Sequence, residues 1–316
     1  MANMGPDELV RMGHVASRHY RDGMTRIQIA EEFGISRFKV GRLLEKARVM
    51  GVVKVEISPF GAIDVELSVA LRERFGLKRA LAVLSPEPEG ESMRNSLGAA
   101  TAQLLSEILE EGDVVGLAAG RTLNSMAAQL PTLPRCESVG LGGVAAPMVE
   151  HGIEVIRQFA QASGGRNWPI FGPLLVETPE IASSLRQDPL ISQAYAHYRR
   201  VTKGLVAIGS WDPPDSQLYD AAEKYGIAQP LVKQGVVGEV LATLYDREGD
   251  VITALDDRSL AMSADQLRQV PEVIAIAGGS RKAAAVVGAV RAEIIDSLVT
   301  DVHLARRLLE FPDERN

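Results

Sequence analysis

Two stretches of the sequence join glycine to a basic residue, and a third carries glycine alone. They are Ala118-Ala-Gly-Arg-Thr122, Ala277-Gly-Gly-Ser-Arg-Lys282 and Gly140-Leu-Gly-Gly143. Small residues let successive backbone N–H groups turn toward one point, and a helix start or a nearby cation adds positive charge. Such loops suit an anion, above all a phosphate. Gly120, Arg121, Thr122, Gly142, Gly143, Gly278, Gly279 and Lys282 are therefore candidate ligand residues. A tight turn after a strand is the plainer reading of each loop taken singly. Three together, two of them with a cation, favour a small anionic ligand. None fits the dinucleotide fingerprint, and Gly279-Ser-Arg-Lys282 lacks the spacing of a P-loop.

A second set of cations lies near the N-terminus. Arg37, Lys39, Arg42 and Lys46, with Arg48 beyond, fall on one short segment that begins after Gly34-Ile-Ser36. Arginine bonds guanine bidentately, and lysine neutralises phosphate. Thr25 and Ser36 stand where helix caps would, with Gln28 three residues after Thr25 as in a capping box. Thr25, Ser36, Arg37, Lys39, Arg42 and Lys46 are the candidate DNA-binding residues. The alternative is a solvated basic face on an ordinary helical hairpin.

Signals for catalysis are weak. Asp256-Asp257 and Glu110-Glu111 are adjacent pairs, and neighbours in sequence do not face each other on a helix or a strand. His14, His19, His151, His197 and His303 include no pair at metal-ligand spacing, and no G-x-S-x-G elbow occurs. The single cysteine, Cys136, excludes an internal disulfide and a thiolate zinc cluster. No catalytic residue, metal or cofactor is expected.

The elements that must position these groups are legible as patterns. A first helix is expected over 6–21, with Leu9, Met12, Val15, Ala16 and Tyr20 as its apolar face. A second follows over 26–33, with Ile29, Ala30 and Phe33 inward. Gly34 supplies a left-handed turn, and a third helix over 37–50 buries Val40, Leu43, Leu44 and Ala47. Two short helices joined by a tight glycine turn form a helix-turn-helix, whose second helix enters the major groove by its N-terminal end. Gly41 is out of place there, since glycine inside a helix costs about 1 kcal/mol relative to alanine. Val52 to Ile57 alternates as a strand would, which extends the head into a winged-helix-like unit. Proline and glycine in Ser58-Pro-Phe-Gly-Ala-Ile63 mark a boundary.

Beyond it, Asp64 to Phe75 is expected as a joining helix with Val65, Leu67, Val69, Leu71 and Phe75 apolar. Strands are expected at 80–84, 113–117, 138–141, 205–208 and 273–276, with helices at 92–110 and 123–130 among them. This alternation predicts a three-layer, Rossmann-like α/β domain with a mainly parallel sheet, over 58–316, after a DNA-binding domain over 1–57. Ligands of such sheets sit beyond the carboxyl ends of the strands, where all three glycine loops fall.

The 316 residues carry a net charge of −7, yet residues 1–57 hold ten basic and seven acidic residues, +3, which leaves −10 for the rest. Opposite charge in the two parts matches separate partners. No apolar run is long enough to span a membrane, and the N-terminus has no signal-peptide pattern. A cytoplasmic protein without membrane contact is expected.

The segment Thr25-Arg-Ile-Gln-Ile-Ala-Glu-Glu-Phe-Gly-Ile-Ser-Arg-Phe-Lys-Val-Gly-Arg-Leu-Leu resembles the head of the SorC family of sugar-responsive transcriptional regulators, departing at Arg26, Phe33 and Gly41. Val115-Gly-Leu-Ala-Ala-Gly-Arg-Thr122, Val206-Ala-Ile-Gly-Ser210, Val273-Ile-Ala-Ile-Ala-Gly-Gly-Ser-Arg-Lys282 and Leu298-Val-Thr-Asp301 resemble motifs of its sensor domain. Ala118 and Ala119 replace a usual Gly-Trp pair, so the pocket wall differs. The resemblance implies a sensor similar in fold to sugar-phosphate isomerases and deaminases, which binds a sugar, polyol or sugar phosphate without chemistry. It also implies operator DNA as partner, with repression and activation both open, and a ligand-bonding role for Glu239, where the family usually has aspartate. Since one short head gives limited specificity and two-fold operators match two-fold proteins, a homodimer or homotetramer is expected. The alternative is an isomerase- or deaminase-like enzyme with an accessory DNA-binding head.

Overall fold

Caps decide where the second N-terminal helix begins and ends and where the third begins. A computed structural model describes residues 5–53, 62–145 and 149–312. Contacts divide the chain into two compact units, Met1–Ile57 and Ser58–Asn316.

The first unit has helices α1 (Pro6–Tyr20), α2 (Arg26–Phe33) and α3 (Arg37–Val49). Thr25 and Gln28 form a reciprocal capping box at the start of α2. Gly34 takes the left-handed conformation at φ 61°, which a residue with a Cβ adopts only at a cost. Ser36 Oγ then accepts from the Lys39 N–H at 3.2 Å and opens α3. Met12, Val15, Ala16, Ile29, Val40, Leu43, Leu44 and Ala47 close the core. Leu9 and Tyr20, expected on the apolar face of α1, are exposed. They lie a turn beyond either end of the stretch that α1 buries. The expected strand over 52–57 is not formed at Val52 and Val53, whose N–H groups both bond Ala47 O and wrap the end of α3. Its other residues, and 58–61 of the expected boundary, lie outside the described residues.

The second unit alternates strands and helices. Its strands are β1 (Ile63–Asp64), β2 (Arg79–Val83), β3 (Val114–Leu117), β4 (Glu137–Gly140), β5 (Asn167–Trp168), β6 (Lys203–Trp211), β7 (Pro214–Asp215), β8 (Gly238–Val240), β9 (Thr243–Tyr245), β10 (Val251–Ile252), β11 (Glu272–Ala277) and β12 (Ser297–Asp301). Its helices are α4 (Val65–Phe75), α5 (Gly90–Ile108), α6 (Arg121–Ala127), α7 (Val149–Ser163), α8 (Pro179–Gln187), α9 (Pro189–His197), α10 (Gln217–Lys224), α11 (Ala228–Lys233), α12 (Ala264–Leu267), α13 (Ala283–Arg291) and α14 (Val302–Leu309).

The main sheet runs β1-β2-β12-β11-β6-β3-β4-β5, and every pair but β1–β2 is parallel. β11 and β12 are buried along their whole length, as strands covered on both faces must be. One helix group packs α5 on α6 and α6 on α7, and another packs α14 on α4 and α13. In α4 only Leu71 is fully buried among the five expected apolar members, and Val65 and Val69 are exposed. Residues two apart lie about 200° around a helix, so that alternating set cannot share one face.

An antiparallel arm adds to this plan, and no sequence pattern announces it. The outer half of β6 pairs with β7 and β8, β8 with β9, and β9 with β10. Strands of two or three residues carry no readable period. No described helix is long and apolar enough to cross a membrane.

Candidate functional site

β3 and β6 are neighbours in the sheet, yet the chain leaves β3 toward β4 on one side and β6 toward β11 on the other. At such a switch point the loops part and leave a crevice beyond the strand ends. A cavity of about 290 Å³ lies there, lined by the loops after β3 and β11 and by the β6–β7 hairpin. That is the small end of ligand pockets, roughly 300–1,000 Å³, and suits one sugar-sized molecule.

Gly120, Arg121, Thr122, Gly143, Glu239, Gly278, Gly279 and Lys282 all line this cavity. Gly142 does not. It bridges Ala261 and borders a separate, smaller void. Several of these glycines are also explained by packing. A Cβ on Gly143 would stand 2.5 Å from Pro173 O, and one on Gly278 would stand 2.2 Å from Met93 Sδ. Gly279, at φ 92°, donates its N–H to Asp301 Oδ2 at 2.7 Å, so a buried carboxylate holds that turn.

The two expected cations are engaged by a residue that no sequence motif singles out. Asp215, at the end of β7, places one oxygen 3.2 Å from Arg121 Nη2 and the other 3.4 Å from Lys282 Nζ. Burial raises the Asp215 pKa, but the charges of Lys282 and Arg121 overcome it and hold the carboxyl below its ordinary value. Lys282 also donates to Ile208 O at 2.9 Å. Arg94 and Arg281 add two further cations to the lining, and Glu89 one more carboxylate.

Glu239 is buried at the back of the cavity. Its position follows from register, since Glu239 pairs with Gly209 across β6 and β8. A Cβ on Gly209 would come within 1.8 Å of Glu239 Oε1, so the carboxyl occupies the space that a side chain there would fill. Ser216 Oγ accepts the N–H groups of Leu218 and Tyr219 and donates its own proton to Glu239 Oε1 at 2.6 Å. Trp211 Nε1 donates to the other oxygen. Burial pushes the Glu239 pKa up to about 8, against the pull of Ser216, Lys282 and Trp211. Below that pH the carboxyl is largely neutral, which leaves only Asp215 and Glu89 to offset the cations of the lining. Sequence reasoning misses Asp215, Ser216, Trp211 and Arg94, because no local spacing brings a hairpin, a helix and two loops together, and in the loop over 277–282 it singles out Lys282 but not Arg281. Ala118 and Ala119 form a low wall.

On the first unit, Arg37, Lys39 and Arg42 are exposed along α3. Lys46 is not free, because its Nζ lies 3.1 Å from Glu8 Oε1 on α1. The Thr25 and Ser36 hydroxyls are occupied as caps. Arg26, Ile27, Arg37, Phe38, Gly41, Arg42 and Glu45 border a shallow groove across α2 and α3. Among the described residues no cluster of three or more His, Cys, Asp or Glu can hold a metal ion.

Residues 62–310 match the family model described as "Putative sugar-binding domain". The chain is 30% identical over 308 residues to the "Uncharacterized transcriptional regulator YjhU" of Escherichia coli K12, covering 94% of this chain and 93% of that one. It is 28% identical to the deoxyribonucleoside regulator of Bacillus subtilis, over 93% of this chain and 95% of that one. The full-length sorbitol operon regulator SorC of Klebsiella pneumoniae has a similar structure, with a TM-score of 0.72 at 25% identity, covering 96% of this chain and 99% of that one.

Proposed function

The chain belongs to the SorC family of sugar-binding transcriptional regulators, and we propose that its cavity binds an anionic sugar or polyol derivative whose presence controls the grip of α3 on operator DNA. Residues 1–57 are the DNA-binding part and 58–316 the effector-binding part. The observation that carries the proposal is the cation pair Arg121 and Lys282 at the switch point, held ready by Asp215. An entering phosphate replaces Asp215 as their partner, and Gly120, Thr122 and Gly279 border its seat. Glu239 faces the ligand's hydroxyls. The names of two relatives, a sorbitol operon regulator and a deoxyribonucleoside regulator, support a ligand of this size and polarity.

The cavity binds without transforming. Ser216 and Trp211 fix the Glu239 carboxyl while each oxygen keeps room to accept from a ligand hydroxyl, and Asp256 and Asp257, in a short turn, do not line the cavity. One observation favours an isomerase- or deaminase-like enzyme instead. A buried carboxyl with a pKa raised to about 8 is what a general acid needs. Incubation with sugar phosphates and product analysis separates the two, because turnover would establish the enzyme.

Operator recognition needs two heads on a two-fold site, so the working form is a homodimer or homotetramer in the cytoplasm. The effector shifts DNA affinity only through unequal affinity for two arrangements of the protein. The test is a thermal-shift screen against sugars, polyols and their phosphates. A shift with a phosphorylated sugar that is lost in Lys282→Ala supports the proposal. No shift with any phosphate ester, or one indifferent to Lys282, refutes the anionic site.

A further inference from the structure

Cations alone do not account for the groove on α2 and α3. Phe38 is 71% exposed and Ile27 58% exposed, on an eight-hydrophobe core that uses neither. They share a groove of about 550 Å³ with Arg26, Arg37, Arg42 and Gly41. Arg37 lies over the Phe38 ring at 5.1 Å. Exposed apolar side chains gathered in a groove mark a surface that is covered in use. Three arginines against the one carboxylate of Glu45 at its rim name the occupant by charge, a polyanion.

Gly41 points the same way. A Cβ there would meet only Arg26 Nη1, at 3.7 Å, so no packing within the unit requires glycine. Glycine nonetheless weakens the helix relative to alanine. A missing side chain on the groove floor serves something that approaches from outside.

We propose that Phe38, supported by Ile27, reads thymine by packing on its C5-methyl group in the major groove, and that Gly41 lets the duplex come close enough for this contact. The proposal rests on the DNA-binding reading of α3. Phe38 is the second residue of α3, within the N-terminal turn that faces base edges when such a helix docks. A phenyl ring makes apolar contact with thymine and not with cytosine, whose ring carries hydrogen at that position. Arg37 and Arg42 flank the contact and hold phosphate or guanine.

The test begins with selection of a preferred sequence from a random duplex pool by the full chain. Each thymine of that sequence is then replaced by deoxyuridine, which deletes only the methyl group. Loss of a buried methyl weakens wild-type binding by about three- to tenfold at one or two positions per half-site. Phe38→Ala binds both duplexes alike. Gly41→Ala raises the unfolding temperature but lowers operator affinity, a pair of opposite effects that misfolding cannot produce. Wild-type indifference to every thymine methyl overturns the proposal while leaving DNA binding intact. So does a Phe38→Ala variant that keeps the methyl sensitivity, or one that changes only the oligomeric state. Failure to select any sequence overturns the DNA-binding reading as well.

Discussion

Replacing Asp215 with asparagine should tighten the binding of an anionic effector. In the free protein Asp215 neutralises Arg121 at 3.2 Å and Lys282 at 3.4 Å, so a phosphate must displace it before it meets either cation. Two unit charges at that separation attract by about 5 kcal/mol at an effective dielectric near 20 and by about 1 kcal/mol in water. The Arg121 and Asp215 side chains are 45% and 42% exposed, which puts their pair near the surface value of roughly 0–1 kcal/mol. Lys282 is 14% exposed and contributes more. A net cost of displacement of about 1–2 kcal/mol corresponds to roughly tenfold in affinity. The asparagine side chain keeps the size of aspartate and removes the competing charge. Titration calorimetry of Asp215→Asn with a sugar phosphate should therefore give about tenfold tighter binding than wild type, and the gain should shrink in high salt. The dephosphorylated sugar should bind both proteins alike. Weaker binding of the phosphate by Asp215→Asn would refute the displacement. Equal losses for the phosphorylated and plain sugars would instead make Asp215 a direct ligand of the hydroxyls.

Arg37→Ala with Lys39→Ala should weaken operator binding and leave effector affinity unchanged. The slope of log affinity against log salt should fall by about one for each DNA phosphate that is no longer neutralised; an unchanged slope in binding assays would displace α3 from the interface. Glu239 gives stability a pH dependence of known sign. Its pKa rises from 4.5 to about 8 on folding, so the folded state holds the extra proton and stability falls as pH rises through that window. Denaturant titrations of Glu239→Gln should lose this slope between about pH 5 and 8, and an unaltered slope would show the carboxyl to be ionised throughout. Gly209→Ala drives a Cβ into Glu239 and should cost about 1–3 kcal/mol in thermal unfolding. The double change with Glu239→Ala should recover part of the loss, and a fully additive result would locate the damage elsewhere.

What local patterns encode was legible in the sequence. Thr25 with Gln28, Gly34 and Ser36 specify the ends of α2 and α3, because each acts on backbone groups within a few residues. The strand–loop–helix order set the sheet class and put the loops after β3 and β11 at the cavity, since parallel strands deliver such loops to one edge. α1 buries a shorter stretch than its apolar residues suggest, because periodicity does not say how far a neighbouring element extends, and α4 buries less because its alternating apolar set cannot share one helical face. Tertiary structure alone decided what the charged groups meet. Asp215 lies 94 residues from Arg121 in sequence. Glu239 is placed by its register against Gly209 in an antiparallel arm whose strands are too short to announce themselves. Lys46 turns to Glu8, Gly142 turns away from the cavity, and the N–H of Gly279 bonds Asp301. A motif offers a donor or a charge; which partner satisfies it depends on distances between segments that only the packed chain brings together.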